Sequence, residues 1–141
     1  MKNNIEEAVS ILKNFILAMN KWEGYCEPLT ELIENGEDEE PLQNKMRSEL
    51  NDIFNQYCTD KKRKYGRQVS LDCGYPPEYS PDEEILKIEE LSKNKLLILT
   101  KQHTEFKNQF RYTLVYKNKE WRIDKKEVFD KFDNKWEKYA L

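Results

Sequence analysis

A single histidine, His103, stands beside Thr104 and Glu105. Imidazole is the side chain best suited to passing protons near neutral pH. To activate a serine or cysteine it needs a third group that orients it, and no sequence neighbour supplies one. The position, at a strand end, reads as that of an ordinary surface histidine. Zinc chemistry is no better served, because the three cysteines, Cys26, Cys58 and Cys73, form no C-x-x-C pair. Nor do the four glycines form a phosphate-binding loop. The expectation is a protein with no catalytic residue, no metal and no cofactor.

Three other stretches have the composition of contact surfaces. Glu34-Asn-Gly-Glu-Asp-Glu-Glu40 holds five acids in seven positions. One or two acids satisfy a helix N-terminus, so Glu37, Asp38, Glu39 and Glu40 together exceed what capping requires. They form either a solubilising loop or a mimic of phosphate, aimed at a basic groove on a partner protein. Lys61 to Arg67 is a basic run with Tyr65 interleaved, as in some nucleic-acid patches. It is also what a solvated connection after a helix looks like, since the last carbonyls favour cations. Tyr75 and Tyr79 come next, in a loop stiffened by prolines, and tyrosine and arginine are enriched in binding hot spots. Tyr65, Arg67, Tyr75 and Tyr79 therefore join the four acids as candidate partner-binding residues.

Composition narrows the class. A chain of 141 residues is expected to be one domain, 1–141. Charged residues reach 36%, yet 12% are aromatic, so the chain is a folded domain with a charged surface. A net charge of −3 offers no global attraction to nucleic acid or to anionic membranes. The N-terminus is acidic where a signal peptide would be apolar, and no apolar run is long enough to span a bilayer. Odd, scattered cysteines argue against a disulfide framework. Cytoplasmic residence is the resulting expectation. The chain is further expected to be a monomer or a weak homodimer.

These residues need positioning elements. Asn4 to Trp22 carries apolar side chains at helical spacing (Ile5, Ala8, Leu12, Phe15, Ile16, Met19), and Gly24 should close that helix. A short second helix is expected over Pro28–Ile33, ended by Asn35-Gly36. A third should run from Pro41 to about Tyr57. Tyr65 to Leu71 has the composition of a short strand. Ser80-Pro-Asp-Glu83 has capping-box spacing. The segment after it reads as at most one helical turn and then a strand near 86–91. Leu96 to Leu99 is apolar on both faces and belongs inside a sheet. Phe110 to Ile123 is a hairpin around Asn118-Lys119, with Phe110, Tyr112, Leu114 and Tyr116 on one face. In that register Tyr116 meets Trp121 and Leu114 meets Ile123. The tail at 129–139 is either a last strand or a docked segment.

Helices before an antiparallel sheet give an α+β order, compatible with the cone-shaped nuclear transport factor two-like fold. Tyr65-Gly66-Arg67, Pro76-Pro-Glu-Tyr79, Tyr112 to Tyr116 and Trp121-Arg-Ile-Asp124 resemble bacterial immunity proteins of that fold. Such proteins protect a cell against its own polymorphic toxins, Rhs-type toxins among them. The resemblance implies a binder of a cognate protein toxin with no catalytic residue to carry over, and it implies a strand at 86–91. Two other functions are compatible with the residues. Enzymes of this fold class, such as isomerases and dehydratases, use a carboxylate base in the sheet cavity, for which Asp72, Glu89 and Asp124 are the candidates. The basic run 61–67 would serve a nucleic-acid-binding module.

Overall fold

The computed structural model describes residues 4–61, 78–103 and 107–141. Among the described residues two helices, α1 (Ile5–Glu34) and α2 (Glu39–Tyr57), precede five strands. These are β1 (Glu84–Ser92), β2 (Lys95–Lys101), β3 (Gln109–Lys117), β4 (Glu120–Asp130) and β5 (Lys135–Tyr139). The strands succeed one another as an antiparallel meander in the order β1-β2-β3-β4-β5. The helices cover one face of this curved, open sheet, the arrangement expected from the order of elements.

The first two expected helices are one. Gly24 and Pro28 lie inside a 30-residue α1, which ends only at Asn35, before Gly36 with φ of +100°. Local breakers lose here to packing. Trp22, Glu23 and Cys26 continue the buried stripe past Gly24, and Trp22 Nε1 donates to the Met46 carbonyl at 2.9 Å, tying α1 to α2. Asn4 caps the start, its Oδ1 accepting from Glu6 N at 2.8 Å.

The hairpin has the expected register. Tyr116 pairs with Trp121 and Leu114 with Ile123, and Asn118 and Lys119 both take positive φ. Phe110, Tyr112, Leu114, Trp121 and Ile123 are buried in one cluster with Leu12, Phe15, Ile16 and Met19. Leu96 and Ile98 add β2 to that cluster. Ser80 to Glu83 forms only a turn, with Glu83 N donating to Ser80 O, and β1 starts directly after it. The tail resolves as β5, where Trp136 pairs with Phe129. The strand expected over Tyr65 to Leu71 lies outside the described residues.

One register shift changes what the sheet buries. Thr113 opposes Lys125 while Leu114 opposes Ile123, so Asp124 is an extra residue in β4. Such a bulge reverses the facing of every residue beyond it. Lys126 is thereby turned into the core.

Candidate functional site

The centre of the sheet's inner face is polar, and the bulge explains why. Lys126 is 2% exposed. Its Nζ lies 4.0 Å from the ring centre of Phe110, 4.2 Å from that of Tyr79, 5.1 Å from Tyr139 and 5.3 Å from Tyr112. Ring faces carry negative potential, so this cage stabilises an ammonium away from water. Glu83, close to Tyr79 in sequence, accepts the Thr100 hydroxyl at 2.6 Å. Burial, then the charges of Glu83 and Tyr79, push the Tyr112 phenol well above its ordinary value of 10.0, so it stays neutral.

A second buried carboxylate organises the approach to this centre. Glu23, on α1, accepts the backbone N–H groups of Glu78 at 2.8 Å and Tyr79 at 2.9 Å. Asn20 Nδ2 donates to the Tyr79 carbonyl, and Gln102 Nε2 to that of Glu78. The Tyr139 hydroxyl donates to Glu78 Oε1. Helix α1, the end of β2 and β5 thus fix two residues on the way into β1. Tyr79, expected at a partner surface, is 1% exposed and packs edge-on against Phe15, so it is a core residue. Its place after Pro76-Pro77 suggested an exposed loop, whereas Glu23 draws its backbone inward. No periodicity singles out Glu23 or Lys126. The only cue is an acid or a lysine at a core-facing position.

The surface candidates divide. Glu37, Asp38, Glu39 and Glu40 are all exposed at the corner between α1 and α2. Asp38 is the N-cap residue of α2, yet its side chain makes no cap hydrogen bond. Tyr65, Arg67 and Tyr75 lie outside the described residues, as do Cys73 and Asp72. Lys61, the first residue of the basic run, pairs with Asp124 at 3.1 Å.

The residues considered for catalysis are scattered. His103 Nε2 meets Glu84 Oε1 at 2.9 Å, a partner supplied by β1, with both side chains about half exposed (48% and 55%). Glu89 pairs with Lys87, and Asp124 accepts from Thr59 Oγ1 at 2.9 Å. Glu89 and Asp124 therefore sit apart from the buried centre of the sheet. Asp124 lines a groove of about 750 Å³ between the end of α2 and the β3–β4 hairpin. In that groove Arg122 Nη1 donates to the Asn55 and Cys58 carbonyls at 2.7 and 2.9 Å, closing the C-terminus of α2. Asp130, Asp133 and Glu137 gather at the β4–β5 turn. The backbone N–H groups of Asp133 and Phe132 hold the Asp130 carboxyl below its ordinary value, so the turn itself accounts for that acid. Cys26 and Cys58 are buried. No described helix is long and apolar enough to cross a membrane.

No solved structure matches the chain. It is 51% identical over 137 residues to the immunity protein RhsIA of Dickeya dadantii strain 3937, covering 97% of this chain and 98% of that relative. The model of the NTF2 fold immunity proteins matches residues 7–140. With two helices on a curved five-stranded sheet and a match across nearly its whole length, the chain belongs to the family of NTF2 fold immunity proteins.

Proposed function

We propose that this chain binds a cognate secreted bacterial toxin of the Rhs type and silences it by stoichiometric occlusion. It acts in the cytoplasm, as one domain and without a reaction of its own. The observation that carries this reading is the 51% identity to RhsIA across 97% of the chain. The occupied centre of the described inner face supports it over a cavity enzyme. Lys126 and four rings occupy the centre of the inner face, and two of the carboxylates considered as bases, Glu89 and Asp124, lie elsewhere. The acidic corner Glu37–Glu40 is the contact region the described residues favour, with Tyr65, Arg67 and Tyr75 as the second candidate surface. Silencing a toxin nearly completely calls for nanomolar binding or tighter, about −12 kcal/mol.

The test is co-expression with candidate Rhs-type toxin domains. Survival and co-purification at one-to-one stoichiometry are expected. Survival without a complex, or turnover of a small hydrophobic substrate abolished by a single carboxylate change, would replace the binder by an enzyme.

A further inference from the structure

Helix α1 has a second, partly apolar face besides the one it buries. The buried face is the stripe that includes Leu12, Phe15, Met19, Trp22 and Cys26. Opposite it stand Leu17, Tyr25 and Leu32, exposed by 42%, 40% and 43%. At about 100° per residue these three fall, with Lys21, Gly24 and Pro28, within an arc of roughly 100°, the exposed Lys21 standing among the apolar side chains. From Leu17 to Leu32 the stripe runs about 22 Å at 1.5 Å per residue, a length suited to a standard interface patch of about 800 Å² per partner.

The outward half of this helix breaks three local rules at once. Gly24 weakens a helix interior, and among the described residues nothing lies within 4 Å of where its Cβ would be, so no close contact there requires glycine. Pro28 removes a helical N–H donor. Glu31 and Glu34 occupy the last turn with no basic residue, although the helix dipole favours cations there. Violations that gain nothing in the folded chain concentrate where a surface has another use.

We propose that this stripe is the centre of the toxin-binding surface, with Gly24 as a notch for a toxin side chain and Glu31 to Glu40 as its acidic rim. The proposal rests on the binder reading and names the surface that does the binding. Charge selects the occupant. Glu31, Glu34, Glu37, Asp38, Glu39 and Glu40 border the C-terminal end, so the covering surface carries basic groups around an apolar ridge. A second copy fits less well, because its own α1 brings only two exposed cations, Lys13 and the stripe's own Lys21, against these six acids.

Gly24→Gln tests this without disturbing the core. Glutamine is a better helix former than glycine and its Cβ has open space, so the thermal midpoint should hold or rise. The dissociation constant for the toxin domain that the co-expression test identifies should rise at least tenfold. Tyr25→Gln, at another exposed position, should weaken binding by a similar factor. Wild-type binding with both variants within twofold of it would overturn this surface and leave the binder reading standing. Absence of binding by the wild type would instead remove the binder reading, and this proposal with it. A wild-type dimer that Gly24→Gln dissociates, with toxin affinity unchanged, would assign the stripe to self-association and also overturn the proposal.

Discussion

Lys126 Nζ lies 4.0 Å from the centre of the Phe110 ring, inside the sheet, because β4 bulges two residues earlier at Asp124. A strand of unbroken alternation would have turned Lys125 and Glu127 inward. Replacing Lys126 by Met keeps an unbranched stem and removes the cation. The loss should be about 1–2 kcal/mol, the range for a desolvated cation–π contact. Urea denaturation measures it, and an unchanged midpoint would mean the ammonium contributes nothing to the cage.

Glu23 should matter through the backbone it receives. Its two oxygens take the N–H groups of Glu78 and Tyr79, and the residue is 1% exposed. Glutamine at this position keeps one acceptor and turns an N–H₂ toward a buried N–H. Glu23→Gln should therefore cost about 1–3 kcal/mol, as buried unsatisfied donors do. Amide hydrogen exchange at Glu78 and Tyr79 should quicken in the same variant, which separates a local anchor from a general loss of stability.

Trp121 gives the sharpest check on the hairpin register. It is buried, its ring centre is 5.3 Å from that of Tyr116, and its Nε1 has no hydrogen-bond partner among the described residues. Trp121→Ala should cost about 3–5 kcal/mol, enough to unfold many domains of this size. Trp121→Phe, which removes the unpartnered N–H while keeping an aromatic ring, should cost clearly less. Similar denaturation midpoints for the two variants would contradict the register.

On the outer face the acid sensitivity should trace partly to Glu127. Arg111 donates to both its oxygens at 3.0 Å and stacks over Trp136 at 4.6 Å. These hydrogen bonds from Arg111 hold the Glu127 carboxyl below its ordinary value of 4.5, outweighing its partial burial. A lowered folded-state pKa gives stability that is present above the ordinary value and lost as pH falls through the lowered one. Wild type and Glu127→Gln should thus differ by at most about 1 kcal/mol at neutral pH, the scale of a partly exposed pair. The difference should fade below pH 4.5. A difference constant from neutral pH down to acid unfolding would assign it to packing.

Period-2 and period-3.6 patterns made most of the architecture legible in the sequence. Tyr116 opposite Trp121 comes from the two-residue turn at Asn118-Lys119, because a local turn fixes register. The fusion of the first two helices was not legible. Gly24 and Pro28 are genuine local breakers, and only Trp22, Glu23 and Cys26 packing inward on either side of Gly24 overrides them. The inward turn of Lys126 depends on one extra residue at Asp124, which leaves no mark in hydrophobic periodicity. Tyr79 misled for a related reason: a proline-rich neighbourhood reads as surface, and its burial depends on Glu23, 56 residues away. Surface acids were legible as a cluster, because charge density needs no fold to be seen.

The acidic corner carries the last prediction. Glu37, Asp38, Glu39 and Glu40 are exposed, and Asp38 makes no side-chain cap bond. The dipole of α2 accounts for one or two acids at about 0.3–1 kcal/mol each. The others repel one another, so stability alone does not explain four in a row. If they face a basic groove on the toxin, their long-range field accelerates encounter. That field is screened within about 8–10 Å at physiological salt. Replacing all four by Gln or Asn should lower the association rate by about tenfold or more in low salt, within the range that steering supplies. In high salt the two proteins should converge, and dissociation should change less than association. Thermal stability should stay close to wild type, since these side chains touch little. An association rate unchanged in low salt would take this corner out of the interface and turn attention to Tyr65, Arg67 and Tyr75.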